Sequence, residues 1–225
     1  MSYEVTATRR RPQTFDNLVG QEFVAETLKK SITSGKIAHA YLFSGPRGCG
    51  KTSSARILAK ALNCANGPTD CPCGTCSNCV EITKGSSLDV IEIDGASNTG
   101  VDNIRQIKEE VMFPPSNCRY KIYIIDEVHM LSQSSFNALL KTIEEPPAHV
   151  IFVFATTELQ KVPATIKSRC QQFNFRLVAI EKVKNCLAEA AAELNIQADD
   201  EALFWIARES SGSMRDAYTL FDQVV

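Results

Sequence analysis

Gly45-Pro46-Arg47-Gly48-Cys49-Gly50-Lys51-Thr52 decides how the rest of this 225-residue chain is read. The eight residues fit G-x4-G-K-[ST], a pattern whose parts each have a physical task. Ala40 to Ser44, just before it, reads as a buried strand, and the residues after it keep helix period to Asn63. A Gly-rich turn between strand and helix lets backbone N–H groups converge on one point, and the helix N-terminus adds partial positive charge there. Such a cradle, continued into Ser53, binds phosphate groups. Lys51 is placed to reach the β- and γ-phosphates, and the Thr52 hydroxyl to ligate Mg²⁺. A Gly-rich turn with a chance Lys-Thr pair is the bland alternative, and the strand–loop–helix setting counts against it.

Working outward, Ile122 to Ile125 is an apolar run that ends in Asp126-Glu127. In open α/β sheets ligands bind beyond the carboxyl ends of the strands, so Asp126 is expected beside the same Mg²⁺. Glu127 is then placed to orient or deprotonate a water attacking the γ-phosphate. Alone, an Asp-Glu strand end is weak. Paired with the phosphate loop it points to an ATPase.

The same alternation runs through most of the chain. Strands are expected at Leu88 to Ile93, Lys121 to Ile125, Val150 to Ala155 and Gln172 to Phe175. Between them Val101, Ile104, Ile107 and Val111 share one helix face, and Ser132 opens a capped helix that stops before Pro146-Pro147. Near-continuous apolar strands alternating with helices predict a parallel α/β sheet covered on both faces. From about Val178 no strand-like run remains. Lys182 to Leu194, Asp199 to Glu209 and a segment opened by Gly212-Ser213 read as helices. The expected division is 1–178, an α/β nucleotide-binding domain, and 179–225, a small helical domain. The chain stops in helix period, which reads as one piece of a longer protein.

Composition narrows the classes. Lys plus Arg is 24 and Asp plus Glu is 26, a formal net charge of −2, so bulk charge is not what would hold this chain to nucleic acid. The longest apolar run, Val150 to Ala155, is far short of the roughly 20 residues of a membrane span. No apolar stretch follows the first residues, so no secretory signal is expected. Nine cysteines without one point to a reducing, cytoplasmic location.

Four of those cysteines form a group. Cys64, Cys73, Cys76 and Cys79 give C-x8-C-x2-C-x2-C with Gly74 in the turn, spacing that lets thiolates converge on one tetrahedral ion. The set favours a closed, structural Zn²⁺ site over an iron–sulfur cluster or a redox dithiol. Cys71 is a fifth thiol that competes with Cys73 for one position. Cys49, Cys118, Cys170 and Cys186 are scattered and read as ordinary core or surface thiols.

Taken together, RPQTFDNLVGQE, HAYLFSGPRGCGKTSSAR, the four-cysteine insertion, IIDEVHMLSQSSFNALLKTIEEPP, FATTELQKVPATIKSRCQQF and SGSMRDA resemble the gamma/tau subunits of bacterial DNA polymerase III, the ATPases of the sliding-clamp loader. The resemblance implies an AAA+ fold with a helical lid, and a C-terminal oligomerisation collar outside this chain. It also implies roles. Thr157 would be a first sensor of the γ-phosphate, Arg215 a second sensor reaching from the lid, and Arg169 an arginine finger entering the neighbouring subunit's ATP site. Val19 and Arg11 would border the adenine. Implied partners are the other clamp-loader subunits, the sliding clamp, primed DNA, and the polymerase III core through the missing C-terminal region, with no membrane and a nucleoid-associated location. The helix after Gly95-Ala96-Ser97-Asn98-Thr99 would offer Arg105 to DNA phosphates, although positions 98 and 100 are Asn and Gly where basic residues are expected in some relatives.

Two other readings compete. A branch-migration or helicase motor of the same fold gives no reason for the insertion at 64–79. A non-hydrolysing scaffold subunit usually has a damaged phosphate loop, and this one is intact. Polymerase chemistry is unsupported, since the Asp126-Glu127 pair stands without further carboxylates.

Overall fold

The computed structural model describes residues 5–97 and 100–225, with side chains for all of these except 101–103. Five parallel strands, β1 (Ala40–Ser44), β2 (Val90–Asp94), β3 (Lys121–Asp126), β4 (Val150–Thr156) and β5 (Gln171–Asn174), lie in the order β2-β3-β4-β1-β5. Alternate strand residues point to opposite faces, and the core divides accordingly. Tyr41, Phe43, Ile122, Ile124, Ile151, Val153 and Ala155 pack under α2 (Glu22–Thr33) and α3 (Lys51–Asn63). Ala40, Leu42, Tyr123, Ile125, Val150, Phe152 and Phe154 pack under α5 (Val101–Glu110), α6 (Gln133–Glu144) and α7 (Ala164–Lys167). Each fully buried side chain of this kind contributes about 1.5–3 kcal/mol. The fold is the covered parallel sheet that the apolar runs predict.

The edges of the sheet correct the expected boundaries. The second strand starts at Val90, not Leu88, which is 75% exposed. Asp89 explains the shift. Its buried carboxylate accepts the backbone N–H groups of Ser116, Asn117 and Cys118, which makes residues 88–89 a corner before the strand. The fifth strand runs one residue earlier than expected, Gln171–Asn174, and only Phe173 in it is buried. Beyond Ser132, the N-cap whose hydroxyl accepts the Ser135 N–H, α6 follows the expected course.

Between α3 and β2 lies α4 (Ser77–Lys84), a helix that the cysteine spacing does not announce. After β5 come α8 (Ile180–Glu193), α9 (Asp200–Glu209) and α10 (Met214–Val224), packed around Val183, Leu187, Leu203, Ala207, Ala217 and Phe221. Asp199, expected as the first residue of α9, is its N-cap, and Ser213, expected to open the last helix, is the N-cap of α10; they accept N–H bonds from Glu201 and Asp216. Near the chain's beginning Thr6–Arg9 forms a helical turn, α1, against α10. Among the described residues no helix is long and apolar enough to cross a membrane. Asn98 and Thr99 lie outside the described residues.

Candidate active site and metal centre

At the carboxyl end of β1 the chain turns into the phosphate loop. Gly45 has φ 142°, and a Cβ there would sit 2.4 Å from the Phe175 carbonyl oxygen. Gly48 has φ 76°, and a Cβ there would meet the Ser213 hydroxyl at 2.0 Å, so glycine is what lets the helical segment approach the loop. Lys51 opens α3 with its ammonium donating to the carbonyls of Gly45 and Pro46, both at 2.8 Å. Burial pushes that ammonium's pKa down, while Glu127 and Asp126 oppose the shift. Cys49 donates its thiol hydrogen to the Pro46 carbonyl, and burial pushes its pKa up.

β3 brings up the acidic pair. The Thr52 hydroxyl donates to Asp126 at 2.5 Å, so two hard oxygen donors of the kind Mg²⁺ takes already face each other. Glu127 follows in the left-handed region, φ 45° and ψ 45°, and its N–H donates to Asp126 at 2.9 Å. Few non-glycine residues adopt this conformation, and such strain concentrates at functional sites. It swings the Glu127 carboxylate toward the end of β4, where Thr157 donates to it from its hydroxyl at 2.9 Å and from its N–H at 3.2 Å.

His129 completes this corner. Its Nδ1 lies 3.0 Å from the Thr156 hydroxyl and 3.4 Å from Glu127, and its Nε2 lies 3.2 Å from Glu158. None of His129, Thr156 and Glu158 stands out in the sequence. The one available signal is a histidine two positions after the acidic pair.

These parts open onto a cleft of about 570 Å³. Of the residues singled out from the sequence, Arg11, Val19, Arg47, Gly48, Cys49, Gly50, Lys51, Thr52, Ser53, Asp126, Glu127 and Arg215 line it. Gly45 and Pro46 instead hold the lysine from below. Burial, with Arg56 and Arg215 nearby, pushes the Arg11 pKa down, while Glu92 and Asp126 oppose the shift. Thr157 reaches the cleft only through Glu127. Arg169 stands apart: its guanidinium pairs with Glu144 at 2.5 Å and donates to the Thr165 carbonyl at 2.7 Å. Arg105 lies on α5, beside the segment that includes the undescribed Asn98 and Thr99.

A second centre lies between α3 and α4. The sulfurs of Cys64, Cys73, Cys76 and Cys79 all lie within 4.8 Å of one another. A tetrahedral ion with bonds of about 2.3 Å places its thiolates about 3.8 Å apart, so a small contraction completes the set. Backbone N–H groups already point at the sulfurs, from Cys73 to Cys64 and from Cys76 to Cys73, both at 3.4 Å. The N–H groups of Cys76 and Thr75 draw the Cys73 thiol down to about 6, while burial pushes Cys79 up. Gly74 makes the turn with φ 71°. Cys71 is exposed and lies outside the group, in which Cys73 takes the place the two competed for. Burial pushes the pKa of Cys118, with Asp89 beside it, and of Cys170 up to about 12.

Comparison with known proteins adds a family to this geometry. The family model described as "DNA polymerase III, delta subunit" matches residues 20–179, and "DNA polymerase III clamp loader subunit, ATPase lid domain" matches residues 182–225. Over all 225 residues the chain is 52% identical to DNA polymerase III subunit tau of Bacillus subtilis and 52% identical to that of Escherichia coli. It spans 40% and 35% of the lengths of those two proteins. Among solved structures, a Thermotoga maritima RuvB, titled a Holliday junction branch migration motor, aligns with TM-score 0.69 at 22% identity. The alignment covers 96% of this chain and 65% of that one, and the likeness is one of fold. With family models matching both the sheet and the helices after it, and tau and gamma subunits 46–52% identical over all of this chain, it belongs to the DNA polymerase III clamp-loader subunit family, on the side of the tau and gamma subunits.

Proposed function

We propose that this chain is the ATP-binding and ATP-hydrolysing part of a clamp-loader motor subunit, which uses the nucleotide cycle to place a ring-shaped sliding clamp on primed DNA. The observation that carries the reading is the meeting of Lys51, Thr52, Asp126 and Glu127 in one cleft roofed by α8 and α10. Tau and gamma relatives along the whole chain support the choice of motor. The branch-migration alternative has only likeness of fold behind it.

In this reading residues 1–178 form the nucleotide-binding domain and 179–225 the lid. The loop amides from Gly48 to Thr52 bind the phosphates, and Lys51 exchanges its two carbonyl partners for phosphate oxygens. Val19 and Arg11 border the base. Thr52 and Asp126 would hold Mg²⁺, which when bound neutralises phosphate charge. Glu127 accepts the proton of the attacking water or orients it. Thr157 links that carboxylate to the γ-phosphate, and Arg215 approaches the phosphates from the lid. Arg169 lies away from its own cleft, which suits a finger acting on a neighbour's ATP; such a finger is worth about 10³–10⁵ in rate. Cys64, Cys73, Cys76 and Cys79 would hold a structural Zn²⁺ that closes the 64–79 excursion. The proposed partners are the other loader subunits, the clamp, primed DNA and the polymerase core.

ATP turnover decides the matter. It is measured for the subunit alone, then with partner subunits, then with clamp and primed DNA. Stimulation that requires clamp and primed DNA supports a loader. Stimulation by branched or duplex DNA alone would favour the branch-migration motor.

A further inference from the structure

We propose that Arg10 positions the helical lid over the nucleotide, acting as the rivet of a strap formed by residues 5–13. The proposal rests on the ATP reading of the cleft and adds a residue to which that reading assigns nothing.

Arg10 is bound on three sides by the lid. Its guanidinium donates to the Cys186 carbonyl at 2.5 Å, pairs with Glu189 at 2.8 Å and Glu193 at 3.3 Å, and lies 5.9 Å from the Tyr218 ring centre. Positions 186, 189 and 193 are spaced three and four apart, so one stripe of α8 presents every acceptor. The arginine side chain is only 16% exposed, although both glutamates are more than half exposed. A planar fork that binds a carbonyl and two carboxylates at once is something lysine cannot reproduce. Four residues earlier, Thr6 donates its N–H and its hydroxyl to Asp222 of α10, at 2.7 and 2.5 Å.

The strap's other end belongs to the sheet. Lys60 of α3 donates to Gln13 at 2.6 Å, and Phe15 and Leu18 enter the core beneath α2. Arg11, between rivet and anchor, lines the cleft, and so do Arg10 and its partners Cys186, Glu189, Glu193 and Tyr218, so the rivet closes one wall of it. Two residues, Arg11 and Pro12, therefore carry the chain from the lid to the body past the nucleotide position. Arg215 is on α10, the helix tied down by Thr6, and Met214 of that helix donates its N–H to Gly48 of the phosphate loop at 3.2 Å. A lid seated by Arg10 holds Arg215 against the phosphates. A lid released from Arg10 keeps its own packing but loses that aim.

The test uses the full subunit, with ATP affinity and steady-state turnover measured together and a donor–acceptor fluorophore pair reporting the lid-to-body distance. Arg10→Ala is expected to weaken ATP binding and raise KM about five- to tenfold, at the lower end of typical coupling between sites, while kcat falls less than about twofold. Arg10→Lys recovers part of the loss. Glu189→Gln with Glu193→Gln, at side chains more than half exposed on the same cleft wall, moves KM in the same direction by less. In an Arg215→Ala background, Arg10→Ala adds little, because its effect passes through the lid. An unchanged KM in Arg10→Ala, or an equal loss with and without Arg215, overturns the proposal. If the unaltered subunit binds no ATP, the nucleotide reading fails instead. The ligand-free lid-to-body distance then still decides the strap, since it broadens in Arg10→Ala if the strap is real and stays unchanged if it is not.

Discussion

Thr157 donates both its hydroxyl hydrogen and its backbone N–H to one oxygen of Glu127, at 2.9 and 3.2 Å. The residue that follows β3 is thus held by the residue that follows the adjacent strand, β4. The left-handed backbone at Glu127 is what turns the side chain that way. A carboxylate so held has one oxygen committed and one left for a water.

Glu127→Gln tests the division between binding and chemistry. The amide can still accept from Thr157 but cannot take a proton, so Mg-ATP affinity is expected to stay within about twofold while turnover falls by 10²-fold or more, roughly the range for a general base. Calorimetry alongside single-turnover hydrolysis reads both. Parallel loss of affinity and rate would contradict the assignment.

Lys51→Ala removes the buried ammonium that the Gly45 and Pro46 carbonyls hold in place. Nucleotide binding is expected to vanish from calorimetric titration, with little change in the thermal midpoint, because those carbonyls are left open to the cleft's water. ATP bound as tightly as before would remove the phosphate loop from the mechanism.

Metal removal should act locally. Zn²⁺ binding releases about 10–16 kcal/mol in small zinc-finger peptides, where it is folding energy. Here the covered sheet stands on its own core, so chelation of the reduced protein is expected to unfold residues 64–79 and leave most far-UV dichroism intact. Backbone hydrogen exchange before and after chelation locates the change. Iron, or no metal, in freshly reduced protein would refute the site.

Asp89 sets a pH dependence. Burial raises its pKa, but the N–H groups of Asn117, Ser116 and Cys118 together outweigh that and hold it below the ordinary carboxylate value. A depressed folded pKa contributes stability that is present above the unfolded value, about 3.9, and lost as pH falls through the folded one. Asp89→Asn is expected to cost about 2–3 kcal/mol at neutral pH, in the range for charge-assisted bonds, and to flatten the acid limb of denaturant midpoint against pH. A variant with the same acid limb as the parent would show that another carboxylate governs it.

Arg169→Ala separates a finger acting on a neighbour from a structural arginine. In the isolated subunit the loss of the Glu144 contact, which is substantially exposed, should change little. Within a reconstituted loader, stimulated hydrolysis should fall by orders of magnitude. Mixing Arg169→Ala with Lys51→Ala subunits should restore activity only where an intact finger meets an intact cleft. Equal defects alone and in the complex would place Arg169 within its own subunit.

The sequence by itself determined the covered sheet, the phosphate loop and the cysteine group, because each is specified locally. Strands buried on both faces must be apolar at every position, as Ile122 to Ile125 and Val150 to Ala155 are. A loop that turns its amides inward needs glycine at 45, 48 and 50. Cysteines with two residues between them, as at 73, 76 and 79, can turn their thiols toward one ion within a single local turn. Tertiary structure alone decided what meets across long stretches of chain: Thr157 with Glu127, Arg10 with Glu189, Asp89 with the amides of residues 116–118, and Cys73 rather than Cys71 with Cys64. The strand order β2-β3-β4-β1-β5 sets β4 and β2 on either side of β3, which accounts for the first and third of these; the chain's beginning is held on its last helices by Thr6 and Arg10. Helix and strand periods fix which face a residue takes, but not which distant residue stands opposite it.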